Sequence, residues 1–458
     1  MNKQDANKLF LDGTLAFARA EKQGMRIDIE YVVKKQKELT AQILRIETNL
    51  KQTSFYKEWQ KYSKKAEPNF NSNLQLANYL YIGKNIKPEK TTDSGKGSTD
   101  EEALKQLNIP ELNQILEMRK LKKMRDTYLG AFEREQVNNV VHPFFNLHTV
   151  KTYRSSSNSP NFQNLPSKDE ESMKIVKSAI YARKGNRLIE LDFSGLEVSI
   201  AACYHKDPNM LKYLKTPGSD MHGDIAQEIF LVDDFNRDLP EHHLLRAAAK
   251  NGFVFPEFYG DYYKNCAINL CAWVKLPLTN WKSNTGIKMP DGTYISDHLR
   301  SKGIKSFKAF ENHIQDMEDD LWQNRFPTYA RWEKKLWHRY QINGFIETLT
   351  GFTCSGLMKR NEVINYPVQG AAFHCLLWSL IEIDKILQLM KSKIVGQIHD
   401  SIVIDVNPFE FTYVCNLVKN VTTQLLPKTW DWIIVPLKID IKAGKVDESW
   451  AELKEIKN

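Results

Sequence analysis

At 458 residues and 42% hydrophobic content, the chain can bury several cores, which excludes a disordered polypeptide and suggests roughly two to four subdomains. Its 64 lysines and arginines against 56 acids give a formal charge of +8, a balance that leans toward a polyanionic partner. Six cysteines without a CxxC pair argue against a zinc ribbon or a disulfide framework. The absence of an apolar leader at Met1-Asn2-Lys3-Gln4-Asp5, or of any long uncharged run, argues against a membrane partner; a cytoplasmic protein is expected, in the host cytoplasm if it is viral.

Apolar positions Leu9, Leu15 and Phe17, then Val32, Val33, Leu39, Ile43, Leu44, Ile46 and Leu50, recur at near-helical spacing and predict two helices over about 5–52. Gly24 breaks them and Asp28 is placed to cap the second. The polar, breaker-rich stretch 87–100 reads as a loop whose Ser98, Thr99 or Asp100 caps a helix starting at Glu101. A further helical stretch, with Leu112, Ile115, Leu116, Met118, Leu121 and Met124, carries Arg119, Lys120, Lys122, Lys123 and Arg125; such a run is often a solvated face. Residues 140–152 look like extended chain entering a sheet, 205–350 are mostly helical apart from a loop-rich piece at 276–303, and the last hundred residues return to strands, with a hairpin about His399-Asp400 and a strand over 435–441. The class is α+β: one mixed sheet built from two sequence-distant segments with a helical insertion between them.

Asp192 and Asp400 each follow a short β-rich run, Leu188-Ile189-Glu190-Leu191 and Ile394-Val395-Gly396-Gln397-Ile398. A lone Asp there often caps a turn, but two such carboxylates brought together on a sheet suit a pair of Mg²⁺ ions ~4 Å apart. Between them lies Arg246-Ala247-Ala248-Ala249-Lys250, whose cations are one helical turn apart and could grip phosphates, Lys250 also being able to protonate a leaving pyrophosphate. The aromatic-rich Phe253-Val254-Phe255-Pro256-Glu257-Phe258-Tyr259-Gly260 follows, a composition suited to core packing or to stacking on bases.

These segments resemble the three polymerase motifs of family A DNA polymerases, in a bacteriophage-type branch. Asp192-Phe193-Ser194-Gly195-Leu196-Glu197 is similar to motif A, Arg246, Lys250 and Tyr259-Gly260 to motif B, and Ile398-His399-Asp400-Ser401 to motif C. Thr152-Tyr153-Arg154-Ser155-Ser156, Pro160-Asn161-Phe162-Gln163-Asn164-Leu165-Pro166, Asp220-Met221-His222 and Asn365-Tyr366-Pro367-Val368-Gln369-Gly370 resemble further family elements in the same order.

The resemblance implies a right-hand fold with an antiparallel palm sheet and helical fingers and thumb: thumb 1–140, palm 141–204 and 351–458, fingers 205–350. It implies templated addition of dNTPs to a primer 3′-OH. Asp192, Asp400 and the carbonyl of Phe193 would hold two Mg²⁺ ions. Arg246, Lys250 and His222 would bind the triphosphate, Tyr259 with Phe253 or Phe255 would frame the base pair, and Glu197 would exclude a ribose 2′-OH. Arg154, Asn161, Gln163, Asn164, Asn365, Gln369 and His399 would hold primer and template, with phosphate contacts from Arg119, Lys122 and Lys123.

Three departures from the family pattern matter. Phe193 stands for the usual Tyr, Ser401 for the Glu that commonly follows the motif C Asp, and one extra residue separates Lys250 from Tyr259. The last leaves Val254 aligned with the sugar-discriminating aromatic, so Phe253 or Phe255 must take that role; a Phe there implies discrimination against dideoxynucleotides. No exonuclease lobe is expected before the thumb, so a separate exonuclease, helicase-primase or single-strand binding protein is a candidate partner. The competing readings are a single-subunit RNA polymerase, which Glu197 opposes, and a catalytically idle DNA-binding subunit, which the intact Asp192, Asp400, Arg246 and Lys250 oppose.

Overall fold

The computed structural model describes residues 3–64, 67–88, 90–92, 95–166 and 169–456. Met1 and Asn2, and Glu89, Asp93 and Ser94 of the stretch expected to be a loop, lie outside them.

Helices α1 (Lys3–Gln23) and α2 (Ile29–Gln52) form as the periodicity predicts, joined by β1 (Met25–Ile27). Asp28 caps α2, its Oδ1 accepting the Tyr31 N–H at 2.9 Å. Downstream, Asp100 accepts the Ala103 N–H at 2.8 Å and so is the cap among the three candidates. The two N-terminal helices part company in their packing. The buried face of α2 (Val32, Leu39, Ile43, Leu50) joins Trp59, Tyr79 and the Leu112, Ile115 and Met118 of α3 (Pro110–Lys122). That of α1 (Ala6, Leu9, Ala16, Phe17, Ala20) joins the core of the central sheet. The expected 1–140 lobe is therefore corrected: α1 packs with the sheet. Its glycine allows a close approach within that core, since a Cβ on Gly13 would stand 2.9 Å from Leu377 of the helix Arg360–Leu387.

Short strands β2 (Val140–Val141), β3 (Phe144–Asn146), β4 (Ser156–Asn158) and β5 (Ile180–Tyr181) follow; β1 pairs antiparallel with β2 and β5, and β3 with β4. The central sheet then begins with β6 (Arg187–Phe193) and is completed, after β7 (Phe345–Glu347) and β8 (Thr353–Ser355) have paired as a separate hairpin, by β9 (Lys393–Ile398), β10 (Ser401–Val406), β11 (Ile439–Ala443) and β12 (Lys454–Glu455). Its order is β12-β11-β6-β10-β9, every pair antiparallel. The expected strand over 435–441 starts only at Ile439; Val435 and Leu437 are buried in irregular chain.

Alternation along β6 and β10 decides what faces what. Ile189, Leu191 and Phe193 with Ile402, Ile404 and Val406 form the apolar face. Glu190 and Asp192 share the other face, with Ser401 opposite Asp192.

Between the two sheet segments lie helices α4 (Leu196–His205), α5 (Met221–Phe230), α6 (Pro240–Ala249), α7 (Tyr263–Trp273), α8 (Ile295–Ser301), α9 (Phe307–Asp320) and α10 (Pro327–Asn343), most of which share one core running from Val198 to Tyr329. The stretch expected to be loop-rich at 276–303 contains α8, anchored by buried Ile295 and Leu299. The long α11 (Arg360–Leu387) then crosses the apolar face of the sheet. Among the described residues no helix is long and apolar enough to cross a membrane.

Candidate active site

The β9–β10 hairpin turns at His399-Asp400, with His399 at φ +50°, and the Asp400 carbonyl accepts the Phe193 N–H at 3.3 Å. That bond ties the end of β6 to the hairpin tip, so Asp192 and Asp400 line one cavity of about 600 Å³ with Arg154, Gln163, Glu197, Lys250, Phe255 and His399. Burial, then the charge of Asp400, then that of Glu190, push the Asp192 carboxyl up to about 7. Gly195, at φ +62°, turns the chain from β6 into α4 and delivers Glu197 to the same cavity. Burial and Asp400 likewise push Glu197 up to about 8, and the opposing charge is the Arg154 guanidinium bonded to its Oε1.

Asp192 and Asp400, meeting in one cavity, form an oxygen donor set that a hard divalent cation satisfies. Among the described residues no group of three or more His, Cys, Asp or Glu side chains is arranged as a metal cluster, so such a cation would be held by these two acids with backbone or substrate oxygens.

Opposite the acids, Lys250 begins a π-helical turn, Lys250–Val254, that continues α6, and the Phe255 N–H bonds back to the Lys250 carbonyl. A π-turn takes in one more residue than an α-turn, which is the surplus residue between Lys250 and Tyr259. As a result Phe255 sits in the cavity, with Lys250 Nζ 5.3 Å from its ring centre and Tyr259 stacked on it at 6.0 Å. Phe253, expected as an alternative, is fully buried in the helical core and does not line the cavity. Two residues apart on a helix, only one of the pair can face the site.

Arg246 is turned away from the place expected of it: it does not line the cavity but forms a bidentate pair with Asp220 at 2.8–2.9 Å. Arg237 joins the same carboxylate at 3.1 Å. His222 stands beside Phe255, with a buried Nδ1 that has no hydrogen-bond partner among the described residues. Burial, then Lys250 and Arg246, push its pKa down to about 4, so it is a neutral hydrogen-bonding group.

On the expected primer side, Gln163 braces the hairpin: its Nε2 donates to the Gln397 carbonyl at 3.0 Å and its Oε1 accepts the His399 N–H at 2.9 Å. Asn161 caps the short turn Phe162–Asn164 by accepting the Asn164 N–H, and Asn164 is exposed. Asn365 donates to the Tyr259 carbonyl at 3.2 Å, and the Gln369 carbonyl accepts from Arg154 Nε at 3.5 Å. Arg119 is spent internally, donating to the Phe70 carbonyl at 2.8 Å and to Asn73 at 3.0 Å, so its expected phosphate contact is corrected to a structural tie. Lys122 and Lys123 make no ion pair among the described residues.

Three charged groups beside the site, Glu190, Lys177 and Asp440, carry no motif signal. Glu190, two residues before Asp192, accepts from Trp450 Nε1 at 2.8 Å and Ser401 Oγ at 3.3 Å and pairs with Lys177 at 3.4 Å. Asp440 lies directly across from Asp192 on β11. Strand parity alone could have marked Glu190, whereas Lys177 and Asp440 needed the topology.

Residues 34–270 and 315–452 match the sequence profile described as DNA polymerase family A. The chain is 29% identical over 395 residues to DNA polymerase I of Lactococcus lactis subsp. lactis, covering 85% of this chain and 40% of that protein. It is 26% identical over 399 residues to the DNA polymerase of Bacillus phage SP01 (81% and 39%), and 24% over 461 to the thermostable DNA polymerase I of Thermus aquaticus (96% and 47%). It thus spans about two fifths of the length of these relatives. Among solved structures it is similar to the POL domain of Pol1 from M. smegmatis in complex with DNA primer-template and dNTP, with a TM-score of 0.75 at 21% identity, over 96% of this chain and 70% of that one. The sheet, the helical insertion and the shared profile agree: the chain has the right-hand α+β fold and belongs to the family A DNA polymerases.

Proposed function

We propose that the chain is a template-directed DNA polymerase that adds dNTPs to a primer 3′-OH with two Mg²⁺ ions. The observation that carries this is the facing of Asp192 and Asp400 against Lys250 and Phe255 across one cavity with Glu197 in its wall. Bound divalent ions would supply Lewis-acid activation of the attacking hydroxyl and charge neutralisation on the departing pyrophosphate. The protein's own work is placement. Lys250 meets the phosphates and gives a proton to the leaving group; Arg246 and Arg237 flank it from their shared perch on Asp220. His222, being neutral, contributes a hydrogen bond. Phe255 and Tyr259 present a stacked aromatic face to the incoming base and sugar, and Glu197 rejects a 2′-OH. Arg154, His399 and the Gln163-braced hairpin hold the primer end; Asn161, Asn164, Asn365, Gln369, Lys122 and Lys123 complete the primer-template contacts. The thumb is α2 through residue 140, the palm comprises α1 and the central sheet, and the fingers run over 205–350.

Extension of a primed template with Mg²⁺, comparing dNTPs with NTPs, tests this reading. Extension by dNTPs alone is expected. Preferential use of NTPs would move the chain to the RNA polymerases, and template binding without extension would leave it a DNA-binding subunit.

A further inference from the structure

We propose that His374, on the buried side of α11, is a positioning residue that aims Arg154 into the active site by holding the backbone carbonyl of Tyr153. The inference rests on the polymerase reading above.

Tyr153 adopts φ +59°, in the left-handed region that a bulky aromatic enters only when its surroundings hold it there. Four restraints do so. Its N–H bonds to the Val150 carbonyl at 2.9 Å, its hydroxyl donates to the Thr353 carbonyl at 2.6 Å, its ring packs on Phe352 and Phe10 at 4.8 and 6.1 Å, and its carbonyl is met by His374 Nε2 at 3.2 Å. The next residue is Arg154, whose guanidinium bonds to Glu197 and lines the cavity. An error in the Tyr153 peptide is thus passed directly to the direction in which Arg154 leaves the chain.

The proton positions around His374 follow from its partners. A carbonyl can only accept, so Nε2 carries the hydrogen. The ring is fully buried, against Phe352 at 4.3 Å and Phe10 at 5.6 Å, and is neutral; Nδ1 therefore accepts, from the Thr350 hydroxyl at 2.5 Å. Thr350 in turn accepts from Thr348 at 2.9 Å, and Thr348 accepts the Phe352 N–H at 2.9 Å. One orientation and one tautomer satisfy the whole chain, which makes His374 a fixed donor. One turn earlier on α11, a Cβ on Gly370 would stand 2.6 Å from the Thr152 carbonyl, so the glycine allows the close approach this contact needs.

The test is a double-mutant cycle on primer-extension kinetics of the full chain. His374→Ala is expected to lower kcat/KM about tenfold, chiefly in kcat, with KM for the dNTP changed less than about twofold. His374→Gln, whose amide both donates and accepts, should recover activity to within about threefold. In an Arg154→Ala background, His374→Ala should have no further effect beyond about twofold, because its route is already cut. Equal losses with and without Arg154, or no loss in His374→Ala, would overturn the proposal. If circular dichroism shows His374→Ala unfolded, Thr350→Val decides: a loss of about threefold that vanishes with Arg154→Ala supports the proposal, and an additive or absent loss rejects it. Should the unmodified chain fail to extend any primer, the polymerase reading itself falls and takes this inference with it, an outcome distinct from an extending enzyme whose two variants add.

Discussion

The central sheet and the motif B helix build opposite walls of one cavity by different means. The sheet places Asp192 and Asp400 through strand parity and a two-residue hairpin tip, a geometry set by hydrogen-bond register and braced by Gln163. The helix places Lys250 and Phe255 through a change of pitch, a π-turn that depends on close packing, since a Cβ on Gly252 would stand 3.1 Å from Leu270. One wall is set by strand register, the other by a change of helical pitch.

The largest expected effect breaks the sheet side. Asp400→Asn keeps the hairpin's shape but removes the charge that couples to Asp192, and extension should fall by roughly 10³-fold or more, while primer-template affinity by filter binding stays within about threefold. Substantial residual extension would remove Asp400 from the metal site. Glu197→Ala should come next. Clearing its carboxylate from the cavity wall and freeing Arg154 should cost dNTP turnover and let NTP incorporation rise, with discrimination falling by about 10²-fold.

The helix side separates two phenylalanines that the sequence leaves equivalent. Phe255→Ala should lower kcat/KM for dNTPs by about 10-fold to 100-fold with little change in Tm, and Phe255→Tyr should admit dideoxynucleotides more readily. Phe253→Ala should instead cost about 3–5 kcal/mol of stability by opening a cavity in the helical core. An exchange of these two phenotypes would put Phe253 rather than Phe255 against the substrate.

That contrast also tracks what could be read without coordinates. The acids at Asp192 and Asp400, the His399 turn and the Asp28 cap are legible because each depends on local pattern, a β-rich run with an acid at its end or a cap before an apolar stripe, whereas the cap before Glu101 is narrowed only to Ser98, Thr99 or Asp100. The pairing of α1 with the sheet was not legible, because periodicity marks a buried face without naming what covers it. Arg119 looked free because its acceptor, the Phe70 carbonyl, lies 49 residues away in sequence. Phe255 was undecided because the extra residue before Tyr259 signals an irregular turn but not where the irregularity falls.

The smallest effect sharpens the comparison by asking what burial costs in each wall. Glu257, just past Phe255, is 1% exposed, accepts from Trp322 Nε1 at 3.0 Å and Cys266 Sγ at 3.3 Å, and pairs with no cation among the described residues; burial and then Glu318 push it up to about 8. Its folded pKa therefore lies above that of the unfolded chain, near 4.5. Between these values the native state keeps a proton that the unfolded state releases, so stability falls as pH rises through this window, and the full cost is present above about 8. Glu257→Gln cannot ionise and should abolish this slope. In urea unfolding the two proteins should agree closely at pH 4, and at pH 9 the variant should be more stable by roughly 1–2 kcal/mol, relaxation around the charge moderating the cost. Asp192 carries a similar burden, but a bound cation can relieve it, so added Mg²⁺ should flatten the pH dependence of the sheet side and leave that of Glu257 unchanged. A Mg²⁺ response that persisted undiminished in Asp192→Asn would place the ion elsewhere and separate the two walls in their chemistry as well as their geometry.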